Sequence, residues 1–291
     1  MNMLELLRVY QLDVSKKFRL GVASDGGYVV GVPPSNGGGG GDEVAGDVYD
    51  CYISAGVSTE ESFTRDFIAR YGGGSAAGAG AGSGAATGGL NETNCFAFDG
   101  TIQAYPVEYT DKIKFFKKNI GGGEVDTDLE TNLLFLLNNY SRVFIKMDIE
   151  GGEYPWLLRM SLDDLRKIKQ LVIEFHGITG DGWGCSYNDK VKCFAKLAET
   201  HYIVHAHGNN HSHTLHRIPD VIELTYIAKS CWAGAAPGFN TTPLPVAGLD
   251  FSNMRWRPDY DLNVYPFVSS SEAGDIEARL AEERMKAREA H

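Results

Sequence analysis

Asp148, Glu150 and Glu153 place three carboxylates within six positions, with Gly151 and Gly152 between them. The run before them, Val143-Phe-Ile-Lys-Met147, is short and apolar, the pattern of a buried strand. Charge therefore falls at the carboxyl end of a strand, where open α/β sheets bind ligands. In a plainer reading, Asp148 caps a helix starting near Glu153 or Pro155, through that helix's positive N-terminal end. Other strand ends carry related chemistry. Cys95-Phe-Ala-Phe98 runs into Asp99, which can accept hydrogen bonds from two ribose hydroxyls or simply turn the chain before Gly100. Gln170-Leu-Val-Ile-Glu-Phe-His176 ends on Glu174 and His176. An imidazole with a pKa near neutrality suits general base catalysis, which makes His176 the first choice and Asp148 the second. Alternatively, Asp148, Glu174 and His176 hold Mg2+ or Mn2+, given oxygen ligands and one imidazole.

Six histidines lie between positions 201 and 216. His205 and His207 are two apart in a strand over 202–208, so they share a face. With Asn209 and Asn210 they read as a substrate-binding rim, as a transition-metal site, or as a polar loop around one satisfied core histidine. Glu223, inside the apolar strand 221–227, requires a buried partner such as a histidine or lysine. Trp183 and Trp232 read as ordinary packing or as stacking surfaces for a sugar.

These groups can meet only if the strands align. Residues 1–19 read as an amphipathic helix ending in a basic patch at Lys16, Lys17 and Arg19. Asp25-Gly26-Gly27 predicts a hairpin turn before Tyr28-Val-Val30. Strands are expected at 48–56, 95–99, 112–120, 142–148, 170–177, 202–208 and 221–227. Helices are expected at 59–70, 126–140, 157–168 and 188–200, with Ser161 as an N-cap inside the third. Alternation of this kind predicts an α/β, doubly wound, mostly parallel sheet. The short connection between the last two strands favours an antiparallel pair.

Gly37–Gly41 reads as a linker. Positions 72–89 hold only Gly, Ala, Ser and Thr and read as a disordered surface insertion. Without the insertion, Gly56 and Asp99 stand about 25 residues apart, close to the spacing between a nucleotide-binding turn and its ribose-binding acid. The turn Gly56-Val-Ser58 lacks G-x-G-x-x-G, which counts against a dinucleotide pyrophosphate. Residues 237–268 read as an irregular wrap and those from Ser271 as a charged helical tail. The division expected is 1–47 (helix and hairpin), 48–230 (main domain) and 231–291 (wrap and tail).

The chain has 291 residues and a formal charge of −11, which excludes the basic footprint of nucleic-acid binding. No apolar run reaches membrane-spanning length and no signal peptide is evident, so a cytoplasmic protein without membrane partners is expected. The five cysteines fit no zinc spacing; Cys51 and Cys95 fall inside strands, as reduced thiols.

The segment Lys146-Met-Asp-Ile-Glu-Gly-Gly-Glu153 resembles the K-x-D-x-E-G-x-E motif of FkbM-type class I S-adenosylmethionine-dependent methyltransferases. The resemblance extends through Asp25-Gly-Gly-Tyr28, Phe98-Asp99, Ile173-Glu-Phe-His176, His205-Ala-His-Gly-Asn-Asn210 and Val221-Ile-Glu-Leu-Thr225. It implies a Rossmann-like, seven-stranded sheet with an antiparallel last strand, and O-methylation of a hydroxyl, often on a sugar or glycosylated product. The implied cofactor set is Gly56, Ser58, Glu61, Asp99 and Asp148, around a cationic donor without pyrophosphate. Ser54-Ala-Gly-Val-Ser58 departs from the family's glycine-richer first loop. Two other readings remain open: a metal hydrolase built on His205 and His207, and a catalytically silent methyltransferase fold serving as a binding module.

Overall fold

The chain opens with one helical turn, α1 (Met3–Leu6), in a computed structural model that describes residues 2–34, 48–72, 90–232 and 234–269. The Gly37–Gly41 linker, the insertion beyond Gly72 and the tail from Ser271 lie outside the described residues. The helix expected over 1–19 ends early: Val9 and Tyr10 run extended and bridge to Ile203 and Phe239. The hairpin follows as expected, with β1 (Lys17–Leu20) antiparallel to β2 (Tyr28–Gly31). Lys16, Lys17 and Arg19 do not share an exposed basic surface. Lys17 is buried, and Arg19 donates to the carbonyls of Val22 and Ser24 inside the hairpin turn.

β3 (Cys51–Ala55) leads through α2 (Ser62–Tyr71) to β4 (Cys95–Phe98) and then β5 (Lys114–Phe116). The helix expected over 126–140 is mostly absent. β6 (Asn119–Ile120) instead pairs in parallel with β7 (Glu130–Thr131), and only α3 (Leu134–Leu137) is helical. Side chains capture the backbone here: Thr127 Oγ1 accepts from the amides of Leu129 and Glu130, and Asn132 Oδ1 from that of Leu134. Such local bonds compete with helical ones. Leu129, expected on the buried face, is 76% exposed.

β8 (Val143–Met147) precedes α4 (Glu153–Arg159) and α5 (Leu162–Lys167), the latter opened by a capping box between Ser161 and Asp164. β9 (Ile168–His176), α6 (Tyr187–Thr200) and β10 (His201–Gly208) follow. A small hairpin of β11 (Thr214–Leu215) and β12 (Ile218–Pro219) leads to β13 (Val221–Ala228).

The main sheet is seven-stranded in the order β10-β13-β9-β8-β3-β4-β5. It is a mixed α/β architecture, mostly parallel and compatible with a Rossmann-like fold. β13 runs antiparallel to both neighbours, β9 and β10. One face packs aliphatic residues such as Ile145 and Ile173 against α4 and α6. The other carries an aromatic cluster in which Phe67 of α2 lies 4.4 Å from the Tyr52 ring and 4.2 Å from Phe144. The β1–β2 hairpin covers part of that second face: Thr225 donates to the Val29 carbonyl and Gln170 to that of Gly31. Residues of the C-terminal wrap, including Leu244, Leu262 and Phe267, enter the first core. Cys51, Cys95, Cys185 and Cys193 are free thiols, and burial pushes the Cys95 thiol up to about 12. No helix among the described residues is long and apolar enough to cross a membrane.

Candidate functional site

Register brings the polar residues into one row. His207 lies opposite Glu223, and Glu223 opposite Glu174, across β10, β13 and β9. Met147 pairs with Ile173, so Asp148, one residue beyond β8, comes level with Glu174. Directly paired residues of a sheet share a face. The row faces the hairpin, and Tyr28 spans it: its hydroxyl lies 3.1 Å from Asp148 Oδ2 and 3.4 Å from Glu174 Oε2.

The acid-rich turn is locked to the end of β3. The Asp148 amide donates to the Ala55 carbonyl at 2.9 Å, and Lys146 donates to the carbonyl of Gly56. Gly56 has a φ of +79°, and a Cβ there would stand 1.6 Å from the Asp148 carbonyl oxygen, so only glycine fits. Beyond Asp148 the chain doubles back, and Glu150 adopts a left-handed φ of +54°. Glu153 opens α4 with its carboxylate wholly buried; Oε1 accepts from the Ile149 amide and lies 3.0 Å from His176 Nδ1.

His176 is thereby oriented. With Nδ1 on Glu153, Nε2 lies 3.3 Å from Glu150 Oε2 and 4.0 Å from Asp148 Oδ1. Burial alone would lower the imidazole's pKa, but the bond to Glu153 and the charges of Asp148 and Glu150 carry it above 6.5. Burial also raises Glu150, with Asp148 and Glu153 adding to the effect and His176 opposing it. Glu174 is pushed well above its ordinary pKa by burial, then by Asp148 and Glu223. Asn209 donates to its Oε1 at 2.7 Å.

The metal set expected from sequence therefore changes by one member. Ligand atoms of Asp148, Glu150 and His176 lie within 4.8 Å of one another, whereas Glu174 is held by Asn209 and Tyr28. Trp183 covers the imidazole with ring centroids 4.9 Å apart while remaining 46% exposed. Gly177 lies beneath the indole, where a Cβ would meet Trp183 Cδ1 at 2.2 Å.

At the other end of the edge, the strand-to-helix turn spends its amides internally. Gly56 N–H donates to the Phe98 carbonyl and Val57 N–H to Asp99 Oδ2. Oδ1 of Asp99 accepts from the amides of Thr101 and Ile102, so Asp99 is both the strand-end acid and the turn-former. Ser58 is exposed, and its Oγ accepts from the Glu60 amide. Glu61 is buried: Thr64 and Tyr105 donate to its Oε2, burial raises its pKa, and Lys146 opposes that rise. Glu60 sends Oε1 to the Ser62 amide, while its Oε2 is buried without a hydrogen-bond partner.

The expected substrate rim is a buried latch. His205, His207, Asn209 and Asn210 are all buried, and their partners come largely from the C-terminal wrap. His205 Nε2 lies 2.8 Å from Asp250, and burial holds the ring toward its neutral form. His207 sits between Glu223 at 3.1 Å and Asp259 at 2.9 Å, supplying the buried partner that Glu223 requires. Asn210 donates toward the carbonyls of Met254, Arg257 and Pro258 and accepts from the Met254 amide. Both ring nitrogens of His207 face carboxylates and His205 Nε2 faces Asp250, while His205 Nδ1 is buried without a hydrogen-bond partner. Trp232 packs edge-on against Tyr202 as an ordinary surface contact.

The sequence pattern points to no catalytic, cofactor or metal role for Tyr28, Glu150 or Glu153. The alternation after Asp25-Gly26-Gly27 puts Tyr28 inward, yet nothing local says that it meets Asp148. Comparison with family models, curated proteins and solved structures finds no match for this chain.

Proposed function

We propose that this chain is an S-adenosylmethionine-dependent O-methyltransferase of the FkbM type, acting on a hydroxyl of a small molecule or glycan. The strand order supports this reading: parallel β3, β4, β5, β8 and β9, with one antiparallel strand inserted before the far edge, is the arrangement that the class I methyltransferase fold requires. The observation that carries it is the chemistry of the edge. The first turn has spent its Gly56 and Val57 amides, so it offers no cradle for a pyrophosphate. Carboxylates predominate instead, which suits a cation.

The residues present fit such a donor. Asp99 Oδ2 keeps acceptor capacity for a ribose, and Glu60 Oε2 is a buried acceptor lacking a partner, matched to an ammonium group. The bound donor supplies an electrophilic methyl on sulfonium. The chain's own task is then to align a hydroxyl and accept its proton, and alignment alone supplies much of such a rate. The atoms placed to receive that proton are His176 Nε2 and Asp148 Oδ1. Glu153 fixes the ring, Tyr28 fixes Asp148, and Trp183 shields the imidazole from water.

Calorimetric titration of the chain with S-adenosylmethionine and S-adenosylhomocysteine tests the reading. One site per chain is expected for each, weakened by Asp99→Ala. Absence of heat at millimolar ligand would sink it.

A further inference from the structure

We infer that Asp148, Glu150 and His176 form a binding site for one hard divalent cation, of the Mg2+ or Mn2+ type. Ion–ligand bonds of roughly 2.1 Å put neighbouring ligand atoms about 3 Å apart and opposed ones about 4.2 Å apart. The Nε2–Oε2 separation to Glu150 is 3.3 Å and the Nε2–Oδ1 separation to Asp148 is 4.0 Å, both inside that window. Two of the three side chains also have their other atom tied elsewhere. Tyr28 holds Asp148 Oδ2, leaving Oδ1 toward the imidazole. Glu153 holds His176 Nδ1, leaving Nε2 toward the two acids. A carboxylate behind a histidine is the arrangement that orients an imidazole toward a metal and makes it a better ligand.

The charge in this corner is unbalanced. Among the described residues, the ion pairs of Asp148, Glu150 and Glu153 are all with His176. Lys146, the nearest lysine in sequence, is spent on the Gly56 carbonyl. Glu153 Oε2 is buried and has no hydrogen-bond partner. Glu150 keeps a left-handed backbone although Gly151 and Gly152 follow directly, and that conformation is what carries its carboxylate to the imidazole. Two carboxylates with one imidazole and no thiol favour an oxygen-preferring ion, and the nitrogen admits manganese.

The site stands on its own geometry; its use rests on the methyltransferase reading, in which an ion held by His176 Nε2 and Asp148 Oδ1 would take over from those atoms, lowering the pKa of the acceptor hydroxyl so that its proton leaves to solvent. The test takes the full chain, strips it with chelator and titrates it with MnCl2, reading free Mn2+ by electron paramagnetic resonance. One Mn2+ per chain is expected, with Glu150→Gln and His176→Ala each weakening binding at least tenfold. Glu150 is exposed, so the Glu150→Gln variant keeps the fold intact. Wild-type chain that leaves millimolar Mn2+ free, or binding that both variants leave unchanged, overturns the site. Manganese bound without S-adenosylmethionine supports the site and removes the transferase reading; S-adenosylmethionine bound without manganese does the reverse.

Discussion

Tyr28 and Asp148 are 120 residues apart in sequence, yet the tyrosine hydroxyl donates to the aspartate's Oδ2 at 3.1 Å. Burial and the charges of Asp148 and Glu174 hold the phenol well above its ordinary pKa, so it remains a donor at all working pH values. Tyr28→Phe removes the donor that faces these two carboxyls. A loss of about 1–3 kcal/mol in unfolding free energy is expected, as for a buried acceptor left unsatisfied. Under the transfer reading, turnover falls more than cofactor affinity. A variant with wild-type denaturant midpoint and rate would show that the contact has no consequence.

Glu153 serves two masters, the Ile149 amide and the His176 ring. Glu153→Gln preserves an acceptor for the amide but gives up the charge that raises the imidazole's pKa. Glu153→Ala leaves both groups unsatisfied in a buried place and is expected to cost about 3 kcal/mol. The glutamine variant should fall between alanine and wild type in chemical denaturation; equal losses for the two variants would mean that the carboxylate's charge, not the acceptor kept for the Ile149 amide, sets the effect.

Gly56 and Ser58 belong to one turn and differ in what they tolerate. Gly56→Ala combines a left-handed backbone with a 1.6 Å collision against the Asp148 carbonyl, so a loss of about 3 kcal/mol or more is expected. Ser58 is exposed, and Ser58→Ala should stay within about 0.5 kcal/mol of wild type. Thermal melts of the two side by side decide this; a well-folded Gly56→Ala would contradict the geometry of the turn.

His207 links stability to pH. Burial alone lowers its pKa, but Glu223 and Asp259 override that and hold it well above 6.5. A group whose pKa is raised in the folded state stabilises fully below its unfolded pKa, and that contribution disappears as pH climbs through the folded value. Stability should therefore decline on the alkaline side of pH 6.5, with amide exchange accelerating first around Asp259. His207→Gln should flatten this slope. Identical pH profiles for the variant and wild type would rule the linkage out.

The strands and the acid-bearing turn were legible because burial imposes its pattern locally: Val143–Met147 is apolar except for Lys146, and the carboxylates begin where the strand ends. The helix over 126–140 misled because the spacing of Leu129, Leu133, Leu136 and Leu137 is helical, while Thr127 and Asn132 redirect the amides that a helix needs. His205, His207 and Asn210 looked like a rim because their partners lie far along the chain. Asp250 is 45 residues beyond His205, and Asp259 is 52 beyond His207, in a stretch without periodicity. Pairings over such distances leave no local trace. The same holds for Glu153 and His176, whose residue types were noticed but whose meeting depends on how α4 leaves β8.

The position of β13 also sets an order of assembly. Until residue 221 has left the ribosome, β9 presents an unpaired outer edge, and β10 has only the bridge at Val9–Tyr10 to bond with, because its neighbour in the sheet is β13 and not β9. Glu223 then brings the His207–Glu174 row together, and Asp250 and Asp259, arriving later still, close over the histidines. A nascent chain paused between residues 208 and 221 thus exposes a strand edge open to pairing with other chains, and this is where a chaperone would be needed most.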